Sequence, residues 1–256
     1  MNRFVQIFNL NSLVVTLLSI ASTYLCLRLD IKADFPLTLV ATAVIFPIVF
    51  SISGAYKRRE TALANYGTLK SHGLALYYAA RDWVPQVQPE LVSRCVQLQA
   101  QLLSQIRDLF VADVSLMRQN EAPVYATFSE ISLYIRDQLR ANGMVANEVS
   151  RCNQYLSKMM VAFENTKHIY QYRTPRTLRA FSTVFIFLVP ILYGPYFASE
   201  AAGYAAQVTY VMPALFSLVL VSLYNIQNHL ENPFDGIGED DVTINVEPFR
   251  ARMSEQ

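Results

Sequence analysis

The chain has 256 residues, 53% of them hydrophobic and only 16% charged, with a net charge of +1 and a mean hydropathy of +0.23. An ordinary soluble domain carries charge on about a quarter of its residues, so this composition argues for a membrane protein, and the near-zero net charge gives no reason to expect a nucleic-acid partner. Cys26, Cys95 and Cys152 are odd in number and far apart, and His72, His168 and His229 form no i, i+4 pair, which argues against a disulfide framework and an HExxH-type metal site.

The first apolar run extends from about Leu10 to Leu27 and ends at Arg28. It is long for a signal-peptide core and is followed at once by a second apolar run, so it reads as a retained span. The second begins at Phe35-Pro36 and continues without a charge to Tyr56. Both approach the roughly 20 residues that cross a hydrocarbon layer.

Lys57, Arg58, Arg59 and Glu60 end that run, and residues up to Arg176 show helical periodicity. Helices are expected over Tyr56–Trp83, Pro89–Met117, Ala122–Asn142 and Val145–Tyr170, with breaks at Pro85 and Pro89, Asn120 and Gly143. Leu91, Val96, Leu98, Leu102, Ile106, Phe110 and Val114 form an apolar stripe suited to helix–helix packing. A third span is expected over Ala180–Ala198 and a fourth over Tyr204 to about Ile226, followed by an acidic, glycine-containing tail without further periodicity.

The expected fold is therefore all-α, with four transmembrane helices in two pairs around a helical bundle. The expected divisions are 1–56 (first pair), 57–176 (helical region), 177–230 (second pair) and 231–256 (acidic segment and tail). Basic residues flank the central region at Lys57, Arg58 and Arg59 and again at Arg173, Arg176 and Arg179. Positive flanks stay cytoplasmic, which places 57–176 and both termini on that side.

Three segments, in order, resemble the bestrophin family of anion channels. The first is Phe46-Pro47-Ile48-Val49-Phe50 followed by Ala55-Tyr56-Lys57-Arg58-Arg59-Glu60. The second runs from Ile169 to Leu178-Arg179 before the third span, and the third is Glu231-Asn232-Pro233-Phe234 with Glu239-Asp240-Asp241 just after it. The family's aromatic pair after the arginine is replaced here by Arg59-Glu60, and His229 stands where a neutral amide is usual. The resemblance implies a homopentamer in the lipid bilayer with one central pore, chloride being the default permeant. It also implies a pore neck at Thr42, Phe46 and Phe50 and a cytoplasmic aperture at Ile169, although Ile169 as an ordinary packing residue is an equal reading.

Thr42, Phe46 and Phe50 are spaced four apart and share one helix face. Rings of phenylalanine would make an apolar constriction, whose positive ring edges favour an anion over a cation. No Asp or Glu lies between Pro36 and Tyr56 to build the acidic ring of a cation channel. Pro47 removes the donor for the Ala43 carbonyl.

Asn232, Asp235, Glu239, Asp240 and Asp241 are candidate Ca²⁺ ligands, because hard cations take carboxylate and carbonyl oxygens and animal bestrophins place a calcium clasp in this region. A solvated acidic turn is the alternative. No P-loop, GxSxG or Ser/His/Asp arrangement points to an enzyme. The rival to a channel is a membrane-anchored scaffold whose central helices bind a soluble partner; a secondary transporter lacks its expected inverted repeat.

Overall fold

A computed structural model describes residues 8–34, 36–86, 88–172, 174–203, 205, 208–234 and 241–254, and these are mostly helical with no strand among them. In chain order the helices are α1 (Leu10–Arg28), α2 (Leu37–Asp82), α3 (Pro89–Val111), α4 (Met117–Leu133), α5 (Ala146–Gln171), α6 (Arg176–Leu192), α7 (Gly194–Glu200), α8 (Val211–Glu231) and α9 (Val246–Ser254). A π-helical stretch, Tyr134–Leu139, continues α4. Four helical stretches are long and apolar enough to cross a membrane, so the chain is an integral membrane protein. It divides into two compact units: Met1–Lys57 with Arg173–Glu231, and Arg58–Tyr172 with Asn232–Gln256.

The first unit inverts the packing logic of a soluble bundle. Along α1 the buried residues are Ser12, Val15, Ser19 and Thr23, while Leu10, Leu13, Val14, Leu17, Leu18 and Leu25 are exposed. Lipid tails solvate leucine well, so membrane helices associate through small residues and hydrogen bonds instead. Asn9 caps α1 through the Ser12 N–H at 3.1 Å and donates its amide to Asn225 Oδ1 of α8 at 3.1 Å. Asn225 in turn donates to Ser12 Oγ at 3.0 Å.

Further along the same face, two serines repair a helix break. Pro195 cannot give the Ile191 carbonyl the N–H that a continuous helix would supply, and the Ser22 hydroxyl donates to that carbonyl at 2.7 Å instead. Ser19 donates to the Pro190 carbonyl at 2.9 Å. In hydrocarbon such substitutions are required, since no water is present to bond an open carbonyl.

This break corrects the expectation of one third span over Ala180–Ala198. The helix runs from Arg176 to Leu192, turns at Tyr193 and restarts as α7 with a proline in its first turn. The fourth span is also displaced: it starts at Val211, with Pro213 in the first turn where a missing N–H is harmless, and continues past Ile226 to Glu231. The expected second span and the expected helix Tyr56–Trp83 are one continuous helix, α2, of 46 residues. Lys, Arg and Glu are good helix formers, so the run Lys57–Glu60 interrupts hydrophobicity without interrupting the helix.

In the second unit the stripe of α3 is buried as its spacing predicts, from Leu91 through Phe110. This helix ends at Val111, short of the expected Met117, because the Asp113 side chain accepts the Ser115 N–H at 2.8 Å and caps a short 3₁₀ turn. Asn120 therefore lies inside α4 and breaks nothing. Gly143 adopts φ +93° before α5, a conformation costly for any residue with a Cβ. Residues 241–254 of the tail pack and form a short helix where no periodicity is evident. Val242, Ile244, Phe249 and Met253 are buried in the unit's core, the last two one helical turn apart on α9.

A Cβ at Gly194 would run into Ser22 Oγ and lie 3.0 Å from the Ser22 carbonyl carbon. Gly194→Ala is expected to lower stability by about 1–3 kcal/mol through overpacking, measured by thermal unfolding in detergent. A melting temperature equal to that of the parent protein would show that the α1–α7 contact is not tight.

Candidate functional site

Within its membrane portion α2 has two distinct faces. Val44, Ile48, Ser51 and Ala55 are buried, and Val44 and Ile48 pack with Ile186, Val189, Leu220 and Val221. Thr42, Ala43, Phe46, Val49 and Phe50 are exposed, Phe46 at 60% and Phe50 at 58%. Thr42, Phe46 and Phe50 therefore share a face that is exposed among the described residues. The two phenyl rings meet edge to face, centroids 4.6 Å apart and planes at 87°, the arrangement their quadrupoles prefer. Pro47 sits between them on the helix.

Ile169 lies near the end of α5, half-buried against the helical core of the second unit. His168 beside it is exposed, its ring 6.1 Å from that of Tyr172. The neighbouring cation, Lys167, is engaged internally. It bonds Glu164 at 2.9 Å and Glu121 at 3.4 Å, donates to the Tyr125 hydroxyl and stands 5.0 Å from the Tyr125 ring centre. Burial alone would lower the ammonium pKa, but the hydrogen bonds with Tyr125 and Glu164 outweigh it and raise it above the ordinary lysine value. That charge is held by carboxylates and is poorly placed to attract a mobile anion.

Of the candidate Ca²⁺ ligands, Asp235, Glu239 and Asp240 lie outside the described residues. Asn232 accepts the Phe234 N–H through Oδ1 in a long hydrogen bond of 3.4 Å, the local turn that Asn favours, and Asp241 is half-buried. Among the described residues no three His, Cys, Asp or Glu side chains come together as a metal site.

The Asn-Pro-Phe segment has a clear structural task. Phe234 is buried and stacks on Phe110 at 4.8 Å with planes 26° apart, while the Pro233 carbonyl accepts the Val242 N–H at 2.7 Å. The segment thereby pins the tail to the core of the second unit.

Sequence reasoning missed the role of Glu231. It ends α8, is only 6% exposed, and accepts the Thr174 N–H at 2.9 Å and the Thr174 hydroxyl at 2.8 Å. Thr174 precedes Pro175, the N-cap of α6, so one carboxylate clasps the end of the fourth span to the entry of the third. Hydrogen bonds to an ionised acceptor are about twice as strong as neutral ones. The available signal was an acid closing an apolar helix opposite a Thr-Pro pair that opens another.

The geometry defines a four-span membrane protein in which helices of one unit are separated in sequence by a helical unit of their own. Its fold is that of the bacterial bestrophin homologues. Solved variants of a bacterial bestrophin homologue from Klebsiella pneumoniae superpose with TM-scores of 0.77, 0.78 and 0.80 at 17%, 18% and 17% identity. These alignments cover 95–96% of this chain and 97–98% of that one. A further crystal structure, described as a membrane protein, aligns with a TM-score of 0.79 at 18% identity over 96% of this chain and 98% of its own. No protein-family model and no curated protein sequence matches significantly.

Glu231→Ala is expected to cost about 2–3 kcal/mol, since it leaves two buried donors of Thr174 without this acceptor. Thr174→Val, which keeps the backbone bond, should cost roughly half as much. Thermal unfolding of both variants in one detergent checks the order, and equal melting temperatures for all three proteins would remove the clasp from the account.

Proposed function

We propose that this chain is a bestrophin-like channel for small anions, with chloride the default permeant. It is a homopentamer whose copies of α2 surround a single central pore, with residues 57–176 and both termini on the cytoplasmic side. The observation that carries this reading is the exposed Thr42–Phe46–Phe50 face of α2 on a helix whose opposite face is buried. The exposed surfaces of α1 and α8 are rich in leucine and valine, as lipid contact requires. The α2 face adds a hydroxyl and two phenyl rings.

The mechanism follows from the chemistry of that face. Rings of Phe46 and Phe50 around an axis would form a dry constriction that an ion crosses only by shedding water. The edge-to-face pairing turns one ring across the other, so positive C–H edges are available to a partly dehydrated anion. Between Pro36 and Tyr56 there is no carboxylate to repel it. A scaffold that merely anchors soluble helices would need apolar spans but no such face, and the likeness to solved membrane proteins extends through the spans as well as the helical unit.

Purified protein reconstituted in liposomes should release chloride faster than empty vesicles. Phe46→Ala should raise the initial rate several-fold, on the order of the effect of relieving a hydrophobic constriction. Protein shown by light scattering to be pentameric, yet passing no anion above the empty-vesicle rate, would refute the proposal.

A further inference from the structure

In the second unit the tail meets α2 around a cavity of about 180 Å³. Its walls include Tyr66 and Lys70 of α2, and Thr243, Asn245, Phe249 and Arg252 of the tail. The Tyr66 hydroxyl fixes this contact, accepting the Asn245 N–H at 3.1 Å and lying 3.4 Å from the Asn245 carbonyl oxygen. Phe249 is buried in the unit's core. Two cations line the same space. Lys70 Nζ stands 4.4 Å from the centre of the Tyr66 ring, and Arg252 is exposed on α9. No described Asp or Glu lines the cavity, and neither cation forms an ion pair with a described acid. By contrast, Arg59, Arg81, Arg94, Arg107, Arg136 and Lys167 each pair with a carboxylate.

We propose that this cavity binds a soluble phosphate group, as inorganic phosphate or a small phosphomonoester, and that the bound anion latches the tail to α2. A guanidinium presents a fork of donors that matches two phosphate oxygens, and a lysine adds a point charge. The exposed side chains of Thr243 and Asn245 supply neutral donors beside them. The space is smaller than the roughly 300–1,000 Å³ of sites for drug-sized ligands, so it suits a single compact oxyanion. A phosphate carrying about two negative charges gains more from two cations than chloride does. Tyr66 follows Tyr56, the end of the uncharged run, by ten residues, about 15 Å of helix. That exceeds the depth of one headgroup layer, about 5–8 Å, which favours a soluble occupant over a lipid. Without an anion, Lys70 and Arg252 repel each other across the contact between α2 and α9; with one bound, both are attracted to it.

The test is calorimetric titration of inorganic phosphate into the purified protein in detergent, at an ionic strength held constant with sodium chloride. One site per chain is expected. Lys70→Gln and Arg252→Gln should each weaken binding about tenfold or more, the loss of one charge-assisted contact. Arg118→Gln, at an exposed position on α4, should leave the affinity unchanged and so separates the site from general surface charge. Phosphate should also slow amide hydrogen exchange over residues 243–254 in the parent and in neither cavity variant. Parent-like melting temperatures in chloride alone show that the variants fold. Absence of phosphate binding, or equal affinity in the parent and all three variants, would overturn the site. A response to short-chain phosphatidylinositol 4-phosphate but not to inorganic phosphate would overturn the soluble occupant. None of these outcomes depends on whether the protein conducts ions.

Discussion

The spans of this protein are shaped by one constraint: hydrocarbon offers no hydrogen bonds to an open backbone carbonyl. The third span breaks beside Pro195, and carbonyls at that helix end are met by hydroxyls of α1, Ser19 on Pro190 and Ser22 on Ile191. α1 must therefore turn its small polar residues inward and its leucines outward, and it is thereby fixed against α6, α7 and α8. Asn9, Ser12 and Asn225 extend the same seam to the other end of the helix. With these four helices committed to one another, α2 contributes only Val44, Ile48 and their neighbours to the apolar cluster. Its Thr42–Phe46–Phe50 face is exposed among the described residues.

The same constraint bears on the proposed pore helix. On α2 a proline again removes the N–H that a carbonyl, that of Ala43, would otherwise accept. The Thr42 hydroxyl beside it in sequence is bonded to the Thr38 carbonyl. A carbonyl released on a packed face calls for an internal serine; one released on an exposed face is open to water. Pro195 on one side and Pro47 on the other thus show two settings of the same residue type.

Much of the fold was legible in the sequence because burial follows simple periodicity. The α3 stripe from Leu91 to Phe110 and the α1 limits near Leu10 and Arg28 emerged from pattern alone. Other features were not readable that way. A membrane boundary is a change of solvent, and the helix in α2 passes through Lys57–Glu60 because nothing there opposes helical geometry. The hydroxyl seam was hidden because hydropathy scores Ser12, Ser19 and Ser22 as interruptions, although they are the adhesive surface of α1. The short α9 offers a single buried i, i+4 pair, Phe249 and Met253, too little for a period to show. At the site, Thr42, Phe46 and Phe50 shared a face by spacing, whereas the partner of Glu231 lies 57 residues away and no local pattern names it.

The central claim is that copies of α2 meet around an axis. A single-particle density map of the purified protein in a lipid nanodisc tests it most directly. The account predicts five subunits with Phe46 and Phe50 of every copy directed at one central passage. A monomer or dimer, or an assembly in which those two side chains face lipid, would contradict it.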